Sequence, residues 1–128
     1  MQRDRFQTFT TELTNLNNVE REAAPRELYC RGDSSLLHSD QPRVAIIGSR
    51  RASQQELDLA YASARELAER GVIIVSGLAR GVDTAAHHGA LAANGKTIAV
   101  LGAGFSHPYP PENEALFRSI GQDHLLLT

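Results

Sequence analysis

Three short apolar runs, each closed by glycine or serine, constrain this chain more than any other feature. Val44-Ala45-Ile46-Ile47 ends at Gly48, Val72-Ile73-Ile74-Val75 ends at Ser76-Gly77, and Thr97-Ile98-Ala99-Val100-Leu101 ends at Gly102. Continuous apolar runs of this length suit strands buried on both faces, the habit of parallel sheets. Helix-patterned stretches separate them. Ser53 stands as an N-cap with Glu56 three residues on, a capping box, and Leu57, Ala60, Tyr61, Ala64, Leu67 and Ala68 then share one helical face. Gly71 takes the place of a C-cap glycine. A second helix is expected from Val82 to Ala93, with Ala85, Ala86, Ala90 and Ala93 inward. A third is expected from Pro111 to Ser119, with proline in its first turn. Leu125-Leu126-Leu127-Thr128 reads as the start of a fourth strand. The alternation specifies an α/β class with a mainly parallel sheet, covering helices and right-handed crossovers, and a sheet incomplete at its C-terminal end.

Upstream, residues 1–24 form a polar segment in which Phe6, Phe9, Leu13 and Leu16 recur at helical spacing, so a short amphipathic helix is expected. Between Pro25 and Pro42, Glu27-Leu28-Tyr29-Cys30 reads as a short strand and Arg31-Gly32-Asp33 as a turn. The 128 residues suffice for one core, placed in residues 25–128. No apolar run approaches the ~20 residues that span a bilayer, the N-terminus lacks a signal peptide's apolar segment, and a lone cysteine, Cys30, excludes an internal disulfide. A soluble, cytoplasmic protein with no membrane association is therefore expected. The formal net charge of −2 argues against a protein that coats duplex DNA without sequence preference. Any nucleic-acid contact has to come from a local pocket.

Such a pocket belongs beyond the carboxyl ends of the strands. Three turns lie there, Gly48-Ser49-Arg50-Arg51, Ser76-Gly77-Leu78-Ala79-Arg80-Gly81-Val82-Asp83 and Gly102-Ala103-Gly104-Phe105, and the first two have a clear physical logic. Glycine lets backbone approach an anion closely, and the N–H groups that open a helix favour negative charge. Ser49 and Ser76 offer hydroxyl donors, and Arg50 a bidentate, permanently charged contact to phosphate. Small residues are also what any α/β turn needs, so glycines alone are more often structural than functional; two serine–glycine pairs and an adjacent arginine on one edge shift the reading toward a phosphate site. Arg51 and Arg80 suit a solvated surface role at least as well, and Asp83 suits capping or orienting the second helix, with a bond to a ligand hydroxyl as its other reading. Tyr109, in the stiff Pro108-Tyr109-Pro110-Pro111-Glu112-Asn113 turn, fits a fixed entry into the third helix, with base stacking as the other reading.

Two look-alike motifs fail on spacing. Gly89 to Thr97 ends in Gly-Lys-Thr, but five residues separate its glycines and it leads into a strand, whereas a P-loop opens a helix. Gly102-Ala103-Gly104 has His107 where a dinucleotide fingerprint has its third glycine. No cofactor is implied. His87 and His88 are adjacent on a helix and point apart, so a helix-packing or surface role is expected, with no metal site. No Ser/His/Asp set or carboxylate pair supports a catalytic mechanism.

Val44 to Arg50, the Ser76–Asp83 run with Ala85, Ala86 and His87, and Gly95 to Gly102 followed by Tyr109-Pro110-Pro111-Glu112-Asn113 together resemble the DNA-processing protein A (DprA/Smf) family. Pro25, Leu28-Tyr29 and Gly32 resemble its lead-in. The resemblance runs over residues 25 to 128 and implies the N-terminal part of a Rossmann-like, three-layer domain of the SLOG superfamily. It further implies single-stranded DNA binding in natural transformation, protection of incoming DNA, assistance to RecA loading, a homodimer and no enzymatic activity. By the same resemblance, Gly48, Ser49, Arg50, Ser76, Gly77, Ala79, Gly81 and Lys96 are expected at the DNA phosphates, with Arg51, Arg80, Asp83 and Tyr109 as accessories. A nucleoside-monophosphate phosphoribohydrolase or a small-nucleotide sensor is the competing class, although the hydrolase's glycine-rich turn with downstream glutamate does not occur.

Overall fold

The computed structural model describes residues 8–11, 16–106 and 108–128, with the side chains of 8–11 left aside. Six strands form one sheet: β1 (Thr8–Thr11), β2 (Leu28–Gly32), β3 (Arg43–Ala45), β4 (Ile73–Ser76), β5 (Thr97–Val100) and β6 (Leu125–Leu127), in the spatial order β1-β2-β6-β5-β4-β3. The last four pair in parallel, while β1–β2 and β2–β6 are antiparallel. Among the helices, α1 is Asn18–Ala23, α2 is Ser35–His38, α3 is Gln54–Glu69, α4 is Val82–Ala92 and α5 is Glu114–Asp123; a 3-10 turn, Pro111–Asn113, leads into α5.

Pairing parity divides the core. Ile74, Ala99 and Leu126 share one face of the sheet. Against it pack Ala64 and Ala68 of α3, Ala86 and Ala90 of α4, and Leu116, Phe117 and Ile120 of α5. Ile73, Ile98, Leu125, Leu127 and Cys30 occupy the other face, where α2 contributes Leu36. Helices therefore cover both faces unequally: three crossover helices on one, a single turn of helix on the other. The alanines let α3 and α4 come close to each other and to the sheet. Gly89 shares that role, since a Cβ on it would strike the Tyr61 carbonyl oxygen.

The end signals of α3 are realised, and Ala60, Ala64 and Ala68 of its apolar face are buried, while Tyr61 of that face is exposed. Ser53 Oγ accepts from the Glu56 N–H and the Glu56 carboxylate from the Ser53 N–H, and Gly71 ends the helix at φ +82. Three expectations fail. The helical spacing of Phe6, Phe9, Leu13 and Leu16 does not give a helix through residue 9: Thr8–Thr11 is a strand on β2, as its threonines favour where a partner edge is present; Phe6 and Leu13 lie outside the described residues. Arg31 and Gly32 are not a turn but the end of β2, which pairs with β6. The first apolar run is not buried on both faces; β3 is an edge strand with all three residues exposed, and Ile47 beyond it is 73% exposed. Among the described residues, no helix is long and apolar enough to cross a membrane.

Candidate functional site

Parallel pairing sends the carboxyl ends of β3, β4 and β5 to one edge of the sheet. The turns that follow them line a cavity of about 480 Å³. Arg50 and Arg51 come from the first turn, Gly77, Ala79 and Arg80 from the second, and Leu101 to Gly104 from the third, with Tyr109 and Phe117 closing the side toward α5.

What holds these turns is a buried polar frame. Asp83, in the first turn of α4 and only 7% exposed, accepts the Gly48 N–H on Oδ1 at 3.3 Å and the Gly77 N–H on Oδ2 at 3.0 Å. Those two amides were expected to face a ligand anion; an internal carboxylate already occupies them. Asp83 is thus the orienting residue of its two readings. A Cβ on Gly77 would sit 2.8 Å from that carboxylate, so glycine there is the condition for the bond. Gly81 has φ +82, and a Cβ on it would strike the Ser49 carbonyl oxygen, so at this point the backbones of the first two turns meet directly. Ser76 is also corrected: its hydroxyl is buried and donates to the Ile46 carbonyl at 2.6 Å, tying the end of β3 to β4. Ser49 is exposed, and its Oγ accepts the Arg51 N–H at 3.1 Å, shaping the first turn from inside.

The second turn is clamped at Leu78, a buried non-glycine residue at φ +59. Its N–H donates to His87 Nε2 at 3.2 Å and its carbonyl accepts from Asn113 Nδ2 at 3.2 Å. His87 Nδ1 lies 2.7 Å from Thr97 Oγ1, which itself donates to the Ile74 carbonyl at 2.8 Å. Thr97 has only the one proton, so the Nδ1–H donates to it, and the imidazole is neutral with Nε2 as acceptor. Burial drives its pKa down to about 3, with His88 and His124 adding to the effect. Asn113 also reaches Thr84 Oγ1 at 2.8 Å, and Thr84 Oγ1 donates to the Ala79 carbonyl at 2.6 Å. His87, Thr84 and Asn113 thus pin Leu78 and Ala79, and with them Arg80. Asn113 and His87 stand in the family-like motifs, but apart from that resemblance nothing in the sequence marks them as clamps of the second turn.

On this frame the arginines differ. Arg50 and Arg51 are exposed and, among the described residues, not ion-paired. Arg80 is engaged by Glu112 through two hydrogen bonds, and its guanidinium lies 5.6 Å from the centroid of the exposed Tyr109 ring. Lys96 is not part of the cavity. It precedes β5 and so stands on the opposite edge, separated by the four residues of that strand, roughly 13 Å. There its Nζ donates to the Asp123 carbonyl at 3.1 Å. Cys30 is buried, and desolvation pushes its thiol above the ordinary range.

A cavity with open arginines on a mainly parallel α/β sheet is common to many nucleotide and nucleic-acid binders, and comparison with known proteins separates them. The family model of DNA recombination-mediator protein A matches residues 7–128. The chain belongs to this family. It is 46% identical over 105 residues to DNA processing protein DprA of Streptococcus pneumoniae, covering 82% of this chain and 36% of that one. It is 42% identical over 96 residues to protein Smf of Escherichia coli, covering 75% and 25%. The solved Streptococcus pneumoniae DprA superimposes with a TM-score of 0.80 at 40% identity, over 97% of this chain and 44% of that one. A Helicobacter pylori DprA, solved for its single-stranded DNA binding mode, also gives 0.80, at 37% identity, over 96% of this chain and 55% of that one. The chain thus spans between a quarter and about a third of these curated relatives, and about half of the solved chains. The fold is the Rossmann-like α/β fold of the DprA structures.

Proposed function

We propose that this chain binds the backbone of single-stranded DNA at the carboxyl edge of its sheet, as a module of DNA processing. The observation behind the reading is the pair of open arginines, Arg50 and Arg51, set in a cavity of about 480 Å³ whose glycine turns leave room for a chain of phosphates to pass. The single-stranded DNA binding of the Helicobacter pylori relative supports the choice of ligand. Gly48, Gly77 and Gly81 serve as the close-packed floor rather than as anion donors, Asp83 and Ser76 as its ties, and Ala79 as the small residue that keeps the entrance open. Tyr109, 60% exposed beside Arg80, supplies a face on which a base can stack. The lining of guanidinium, glycine and aromatic groups supports binding rather than catalysis. Protection of incoming DNA, RecA loading, a homodimer and a cytoplasmic setting belong to the same reading and rest on family membership.

The test is fluorescence anisotropy of a labelled oligo-dT with the purified chain, with duplex DNA and AMP as competitors across a salt series. The expected result is preference for the single strand, poor competition by AMP, and a salt slope corresponding to two or three phosphate contacts, about −1.4 to −2. Competition by AMP at concentrations below those of oligo-dT would favour a nucleotide sensor, and release of ribose 5-phosphate from AMP would replace the reading with a hydrolase.

A further inference from the structure

Three arginines line one cavity, yet among the described residues only Arg80 of the three is engaged by a carboxylate. Glu112 meets it side-on: Arg80 Nε donates to Oε1, and Nη2 to Oε2 at 3.3 Å. A phosphate offers a guanidinium the same two-oxygen geometry. Both partners stand on fixed backbone. Arg80 follows the Leu78–Ala79 segment pinned by His87, Asn113 and Thr84, and Glu112 lies between the buried Pro110 and the buried Asn113 within its 3-10 turn. The side chains themselves are half exposed, 50% for Arg80 and 55% for Glu112. An exposed ion pair contributes little net stability, so exchanging one anion for another costs little. Glu112 also borders the neighbouring groove with Thr84 and His88, open space into which its carboxylate can swing.

We infer that Glu112 is a built-in competitor for the DNA backbone, holding Arg80 at the rim of the cavity until a phosphate displaces it. The inference rests on the proposed single-strand binding and names the residue that sets its affinity. Arg50 and Arg51 meet the ligand first, and Arg80 changes partners afterwards. Exchange at Arg80 replaces one bound anion by another and releases no counterion, so Arg80 adds nothing to the salt slope while Glu112 is present.

The experiment is oligo-dT anisotropy over a salt series with the wild-type chain, Glu112→Gln, Arg80→Ala, the double variant, and Glu114→Gln as a control for loss of one nearby negative charge. Circular dichroism verifies each fold, and Glu112→Ala is the second variant. The expected result is affinity raised about two- to fivefold in Glu112→Gln and a salt slope steeper by about 0.7. In the Arg80→Ala background the same change should have no effect. Wild-type affinity and slope in both Glu112 variants, an equal gain in the Arg80→Ala background, or an equal gain from Glu114→Gln would overturn the inference while leaving single-strand binding in place. If no variant binds, including the wild type, the function and the inference fail together.

Discussion

The two ends of the parallel strands carry cations for opposite purposes. At the amino edge, Arg43 donates from one guanidinium nitrogen to the carbonyls of Leu36, Leu37 and Ser39 at the end of α2, and Lys96 donates to the Asp123 carbonyl at the end of α5. Helix C-termini present unpaired carbonyls and negative dipole ends, so the cations there close the fold on itself. At the carboxyl edge the following helices present their N-termini, and it is an anion, Asp83, that closes the fold. Arg50 and Arg51 of that edge take no part in that closure, and Arg80 pairs with Glu112. Cationic residues in an α/β chain thus divide by strand polarity: those before a strand meet helix ends that need them, and those after a strand meet helix ends that do not.

Breaking the frame of the carboxyl edge should have the largest effect. Asp83→Ala leaves the part-buried contacts of the Gly48 and Gly77 N–H groups without their carboxylate and is expected to cost about 1–3 kcal/mol of stability in urea denaturation, with oligo-dT binding lost alongside. Asp83→Asn keeps one acceptor and should cost less. Acid attacks the same frame through His87. Its folded pKa of about 3 lies below the ordinary 6.5, so between those values the unfolded chain binds the extra proton. Stability is complete above the ordinary value and declines as pH falls toward 3, by about 2 kcal/mol between pH 7.5 and 5. His124, whose pKa is lowered chiefly by burial, adds in the same direction. Denaturation midpoints across that range should slope more gently in His87→Gln; an unchanged slope would remove His87 from the frame. The open arginines come next. Arg50→Ala should weaken oligo-dT binding about five- to tenfold, ~1–1.4 kcal/mol, and leave stability within about 0.5 kcal/mol. Lys96→Ala should do the reverse on a smaller scale: less than about twofold in binding, with a stability loss of under about 1 kcal/mol from the lost carbonyl contact. A Lys96 effect on binding equal to that of Arg50 would erase the distinction between the two edges.

Short-range features of the fold were legible in the sequence. The Ser53–Glu56 box, the Gly71 stop and the strands at the three apolar runs depend on residues within a few positions of one another and appear where expected, whereas the exposure of the first run depends on its place at the sheet edge. The site was legible as a place rather than as a set of contacts. That the Gly48 amide faces Asp83, 35 residues away, or that Asn113 reaches back to Leu78, follows only from how α4 and the third turn settle on the sheet. Lys96 is a different case. Its position immediately before a parallel strand places it on the edge away from Gly102. The strand at Thr8–Thr11 was hidden because an edge partner, not the segment's own periodicity, decides its conformation.

The occupation of the Gly48 and Gly77 amides by Asp83 has a kinetic meaning. Backbone donors that wrap a phosphate are rigid and release it slowly, whereas exposed guanidinium groups hold it on flexible tethers and in competition with salt. A strand gripped mainly by Arg50 and Arg51 should therefore have a short residence time, with affinity differences appearing in the dissociation rate. Under the proposed function, such a grip favours handing a strand on over storing it.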